Sequence, residues 1–141
     1  GDLMLAFSDA AIAAQNAVVA AESLGLGSCY IGDIMENCAR QRALLHLPEY
    51  VFPAVMLVFG WPTPQQRERP KPQRCPMAHI VHQNAYRSMD GAELRAMLAH
   101  NCGARPFEEW CAAFCERKYN SDFSREMTRS VAEYLRQFQR G

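Results

Sequence analysis

Polar residues in the first quarter of the chain fall in pairs: Ser8 with Asp9, Gln15 with Asn16, and Glu22 with Ser23. Each pair follows the last by seven residues, close to two helical turns. Residues 4–24 contain no Gly or Pro and are rich in Ala. This pattern predicts one long helix with a narrow polar stripe, apolar elsewhere and buried over most of its circumference. Ala6, Ala10, Ala13, Ala17 and Ala20 let another backbone come close. The helix therefore reads as a central core element, or as one that also packs across a dimer interface. Gly25 is placed for a left-handed C-cap, and Gly27 follows it.

Beyond the glycines, 28–31 predicts a short strand ended by Gly32 and Asp33. The order helix, glycines, strand is the reverse of a dinucleotide fingerprint, so these glycines are not a Rossmann signal. Residues 37–45 predict a short helix broken before Pro48. The near-continuous apolar run 51–59 predicts a strand buried on both faces, with Pro53 near its start. Residues 62–76 carry Pro62, Pro64, Pro70, Pro72 and Pro76 and predict an extended, non-helical arm. Asp90 and Glu93 form a capping box ahead of a helix to His100, and Pro106 suits the first turn of the next. Phe107, Trp110, Cys111 and Phe114 make the apolar face of that helix. Phe123, Met127, Tyr134, Leu135 and Phe138 make that of the last one.

Composition narrows the classes. The chain has 141 residues, 49% hydrophobic and 21% charged, enough for one domain with a modest core. Its 15 basic and 15 acidic residues cancel, so charge gives no support to nucleic-acid or anionic-membrane binding. No uninterrupted apolar run reaches the length of a membrane span. The six cysteines sit in apolar or helical surroundings and read as reduced thiols of a cytoplasmic protein. Cys111 and Cys115 lie one helical turn apart, but no C-x-x-C pair anchors a zinc site, so no metal is expected.

No hydrolase constellation stands out. Ser28 lacks a Gly-x-Ser-x-Gly elbow, and His46, His79, His82 and His100 show no partner spacing. The arm holds Arg67, Arg69, Lys71 and Arg74 against one acid, Glu68. It is either a solvated basic stretch or an anion site. The residues alone thus give an α+β domain, an anion-binding candidate at 69–74 and a glycine-flanked strand where backbone can approach a ligand.

Two longer motifs add a family. The run from Asp9 through Gln15 and Asn16 to Glu22, Gly25, Gly27 and then Ser28-Cys29-Tyr30-Ile31-Gly32 closely resembles the central helix and following strand of the nitroreductase family. Leu45-His46-Leu47-Pro48 leads into a strand ending Val58-Phe59-Gly60-Trp61-Pro62, which is also the family's order. Residues 69–74 and Ile80-Val81-His82 match the closing part of its domain. Lys118 to Phe123, with Glu126 and Met127, resembles a C-terminal helical extension found in one bacterial branch.

The resemblance implies a partial nitroreductase-like fold: a long central helix packed with a small antiparallel or mixed sheet, and a helical tail. Residues 1–87 would be the C-terminal part of the domain and 88–141 the extension. It implies an FMN-dependent oxidoreductase that carries electrons from NADH or NADPH to nitro compounds, quinones or similar small-molecule acceptors, as a homodimer with FMN at the subunit interface. By motif matching, the backbone at Tyr30, Ile31 and Gly32 would lie along the flavin ring, with the Gly32 amide near its reactive nitrogen. Lys71 and Arg74 would hold the phosphate, with Arg69 as a further candidate. The family's Arg-x-Ser-x-Arg segment and the Asn-containing loop after it are not among these residues, so the chain carries part of the FMN site. The competing reading is a truncated, non-catalytic module that dimerises or binds a partner.

Overall fold

A computed structural model describes residues 1–139; the last two residues of the expected extension, Arg140 and Gly141, lie outside it. The chain is α+β and forms two compact units. The first comprises residues 1–68 and 121 onward, the second residues 69–120.

In the first unit, α1 spans Asp2–Ser23, β1 Gly27–Ile31, α2 Cys38–Leu45, β2 Met56–Gly60, α3 Pro64–Glu68 and α7 Asp122–Arg136. Helix α1 is a single element, as its alanine-rich sequence predicts. It closes in a complete Schellman turn. The Leu26 amide donates to the Ala21 carbonyl (3.0 Å), the Gly25 amide to the Glu22 carbonyl (2.9 Å), and Gly25 adopts φ +80°. That turn feeds directly into β1. The strands pair antiparallel, with Gly27 opposite Gly60 and Ile31 opposite Met56.

Burial departs from the sequence-based expectation. Only Ala21 of α1 is buried. Leu3, Phe7, Ala11, Ala14 and Val18 make a half-buried seam leading to it, while Met4, Leu5, Ile12 and Val19 stand in solvent. Helix α1 packs on β1, and an open apolar cavity of about 350 Å³ separates its N-terminal half from Tyr50, Val51 and Phe52. Among the described residues, nothing covers the opposite face. Helix α1 is also long and apolar enough to cross a membrane by length and composition alone, because the polar pairs interrupt its runs without lowering their average much.

The strand expected at 51–59 is confined to Met56–Gly60 and is largely exposed, not buried on both faces. Among the described residues its sheet has two strands, so β2 has one neighbour and open faces. Pro53, which has no ladder donor, stays in the irregular lead-in. The arm also departs from its all-extended expectation, for α3 is a helical turn inside it. Pro64 sits at the first helical position, where its missing N–H costs nothing, and the Thr63 hydroxyl accepts the Gln66 amide (3.3 Å). The core of this unit lies under α7, where Phe52 meets Tyr134 and Phe138 (5.6 and 6.1 Å between centroids).

The second unit holds α4 (Met77–Ile80), α5 (Gly91–Leu98) and α6 (Phe107–Tyr119). The capping box forms as read: the Glu93 amide donates to Asp90 (2.8 Å) and the Asp90 amide to Glu93 (3.1 Å). Phe107, Trp110 and Phe114 line one face of α6, and Trp110 and Phe114 stack at 5.2 Å. Arg95 lies over the Phe107 ring and pairs with Glu108.

Candidate functional site

The glycine after β1 is the most open point of the predicted site. A Cβ built on Gly32 meets nothing within 4 Å, so its backbone borders free space. Gly32 opens a 3₁₀ turn, Gly32–Met35, whose first amides have no partner within the turn. Upstream, the Tyr30 hydroxyl donates to Gln15 Oε1 (3.1 Å). Gln15 belongs to the polar stripe of α1, so part of that stripe anchors the strand rather than facing water alone.

The turn rests on an arrangement that no local motif shows. Asn37 precedes α2 in a left-handed conformation, φ 54°, and its side chain makes no cap. Helix α7 supplies the cap from across the chain. The Cys38 amide donates to Ser130 Oγ (2.9 Å), and the Asn37 amide donates to Glu126 Oε1 (3.1 Å). Ser130 Oγ donates in turn to Glu126 Oε1 (2.8 Å), and Arg129 grips both oxygens of Glu126 at 2.7 Å. The Arg129 fork, and after it the Ser130 hydroxyl, hold the Glu126 carboxyl down at about 2. Ser130 is fully buried and Cys38 nearly so. Helix α7 packs on both α2 and the Gly32–Met35 turn. Nothing in the sequence around α2 signals this cap, because Asn37 is itself a favoured capping residue.

Lys71 and Arg74 lie in the second unit, in the extended arm ahead of α4. Both are exposed, as is Arg69, and among the described residues none of the three has an ion-pair partner. Tyr30, Ile31 and Gly32 belong to the first unit. The residues predicted for the site are therefore divided between the two units. Open backbone suits a flat ring edge, and free guanidinium and ammonium groups suit a phosphate. In chemistry, the residues present fit FMN.

Three histidines have local roles. His46 is the left-handed C-cap of α2. His82 accepts the Arg87 amide (3.4 Å), and His100 Nδ1 lies 3.0 Å from the Met97 carbonyl. All six cysteines are free thiols. Among the described residues, no group of three or more His, Cys, Asp or Glu is placed to hold a metal ion.

A long helix turned by glycine into a strand that ends on an open glycine is the α+β frame of the first unit. Residues 2–61 match the model of the nitroreductase family, a segment that contains all of α1, β1 and β2. The chain is 43% identical over 88 residues to an oxygen-insensitive NADPH nitroreductase of Salmonella typhimurium, covering 62% of this chain and 35% of that protein. It is 34% identical over 126 residues to an FMN reductase [NAD(P)H] of Bacillus subtilis, covering 89% and 46%. Its fold superposes on an NADPH:FMN oxidoreductase from Vibrio harveyi, solved in complex with NAD+. The TM-score is 0.64 at 27% identity, over 92% of this chain and 52% of that one. Over residues 2–61 the chain is nitroreductase-like in sequence. It spans between 33% and 52% of the length of the curated relatives compared with it.

Proposed function

We propose that this chain is the C-terminal part of an FMN-dependent oxidoreductase that takes electrons from NADH or NADPH. The observation that carries the reading is the free space at Gly32, which closes the family-matched helix and strand. Residues 1–87 would complete the nitroreductase-like domain, and 88–141 would form its helical extension. Bound FMN supplies the redox chemistry, accepting hydride from the nicotinamide and reducing nitro compounds, quinones or similar acceptors. The chain's own residues position it. Tyr30, Ile31 and Gly32 would line the ring through their backbone, with the Gly32 amide as donor near its reactive nitrogen. Lys71 and Arg74 would hold the phosphate, the first as a point charge and the second as a planar fork. The protein would work in the cytoplasm as a homodimer, with α1 contributing its uncovered apolar face to the subunit contact.

Flavin fluorescence titration tests this. A longer form of the chain that carries the family's Arg-x-Ser-x-Arg segment binds FMN tightly and oxidises NADH or NADPH with a nitroaromatic acceptor. The 141 residues alone bind it weakly or not at all. Two absent charge-assisted phosphate contacts, each worth on the order of 1.5–3 kcal/mol, reduce affinity about a hundredfold or more. Submicromolar FMN binding by the 141 residues would contradict this division of the site. The exposed face of α1 also suits the second reading, a non-catalytic dimerisation or partner-binding module. A longer form that dimerises without binding FMN would establish that reading instead.

A further inference from the structure

We propose that Ser130 and Glu126 of α7 are positioning residues for the Gly32–Met35 turn, so that the C-terminal helix sets the seat of the flavin-facing backbone. The proposal rests on the reading that this turn borders the flavin. Four observations carry it. First, α2 begins on a left-handed Asn37 whose side chain makes no cap, so its leading amides need outside acceptors. Second, both acceptors come from α7: Ser130 Oγ for the Cys38 amide and Glu126 Oε1 for the Asn37 amide. Third, the acceptors are themselves fixed. Ser130 is fully buried and bonded to Glu126, and Arg129 holds Glu126 bidentately. Fourth, the turn leads into this start, as the Glu36 amide donates to the Asp33 carbonyl (2.9 Å) and α7 packs on the turn itself.

The physical consequence is a short rigid path. Ser130 and its bond to the Cys38 amide are buried, and orphaning a buried partner is costly, so this part of the cap has few alternative arrangements. Moving Ser130 therefore moves the start of α2, and with it the backbone between Gly32 and Asn37. Gly32 has no side chain to wedge it in place, and its surroundings are open. Its position is set by what holds its neighbours. Neither Ser130 nor Glu126 needs to touch the flavin for this.

The test uses the full-length, FMN-loaded protein and two variants, Ser130→Ala and Ser130→Thr. Amide hydrogen exchange is read over residues 32–38, and FMN affinity and the visible circular dichroism of the flavin are read alongside. For Ser130→Ala, exchange accelerates about tenfold or more at Cys38 and at the hydrogen-bonded amides of the Gly32–Met35 turn, FMN affinity falls several-fold and the flavin dichroism changes. Ser130→Thr keeps the hydroxyl and restores all three. Glu126→Gln retains an oxygen acceptor while giving up the Arg129 fork, and serves with the same readouts if Ser130→Ala does not fold. Faster exchange confined to Cys38, with Gly32–Met35 unchanged, would overturn the proposal and leave the flavin reading intact. Faster exchange through the turn, with flavin affinity and dichroism unmoved, would show that the turn is held by α7 but is not the flavin seat. That outcome would defeat both the proposal and the reading beneath it.

Discussion

Ser130 stands 92 residues beyond Cys38, yet its hydroxyl completes the first turn of the helix that Cys38 begins. Glu126 completes the neighbouring amide and is charged when it does so. Its carboxyl is held down at about 2 from an ordinary 4.5, first by Arg129 and then by Ser130. A carboxyl whose pKa falls on folding adds stability above its unfolded value and loses it as pH drops through the folded one. The contact between α7 and α2 is therefore fully supported above about pH 5 and weakens between about 4.5 and 2. The protection factors of the Asn37 and Cys38 amides, with the intrinsic pH dependence of exchange divided out, should fall as pH drops across that window. Glu126→Gln should flatten the dependence, and an unchanged slope in that variant would assign it to another group.

Tyr134 is almost wholly buried, and among the described residues its hydroxyl has no hydrogen-bond partner. Burial, then the nearby Cys38, pushes its phenol upward. A buried hydroxyl without a partner costs free energy that a phenyl ring does not. Tyr134→Phe should therefore be neutral or stabilising by up to about 1 kcal/mol. Tyr134→Ala removes the ring that packs on Phe52 and should cost about 3–5 kcal/mol. Urea unfolding of both variants checks the sign. Marked destabilisation by Tyr134→Phe would mean that the hydroxyl has a partner in solution.

Two glycines separate folding from function. Gly25 needs its positive φ, so Gly25→Ala should cost about 1 kcal/mol or more of stability. A Cβ at Gly32 meets open space, and Gly32 lies outside the left-handed region. Gly32→Ala should leave the melting temperature within a degree or two. In a longer form that binds FMN, the same change should weaken flavin binding, because the added methyl group enters the space the ring would use. Melting curves paired with flavin titrations read both effects.

Thiol reactivity should follow burial. Cys29 is exposed and Cys38 is buried. Cys115 is half-buried; burial and then the adjacent Cys111 push its thiol upward, which lowers its thiolate fraction at neutral pH. Iodoacetamide labelling followed by mass spectrometry should find Cys29 first, Cys115 late and Cys38 last. Early labelling of Cys38 would show that α7 leaves α2 in solution.

Arg74 and Arg67 test the arm. In a longer form that binds FMN, Arg74→Ala should raise the dissociation constant about tenfold, and the effect should persist at high salt. Arg67 lies in α3, before the proline-spaced run, and Arg67→Ala should change little. Solvated charges are screened over roughly 10 Å at 0.1 M salt. Small, equal effects that disappear in salt would leave the arm a solvated basic stretch.

Local chemistry was legible in the sequence, and long-range chemistry was not. The extent of α1, its glycine stop, both strands and the Asp90–Glu93 capping box all follow from residues within one or two turns of each other. The five prolines of the arm were read by number, whereas Pro64 acts by position, and a helical turn formed behind it. The apolar run at 51–59 signalled burial, but burial depends on neighbours, and this sheet gives β2 one. The cap by Ser130 and Glu126 has no local trace. Both are unremarkable polar residues on a helix face, and their partners lie some 90 residues away.

That separation has a consequence for synthesis. As the chain leaves the ribosome, α1, β1 and β2 emerge ahead of α7 and can pair before it is free. The start of α2 stays uncapped until α7 emerges, because its acceptors lie at residues 126 and 130. Contacts so far apart in sequence form late and carry the largest loop-closure cost. A chain interrupted between residues 120 and 130 would keep its sheet and lose the anchor of the Gly32–Met35 turn. Quality control acting on nascent chains would meet it with a formed hairpin and an unfinished floor beneath it.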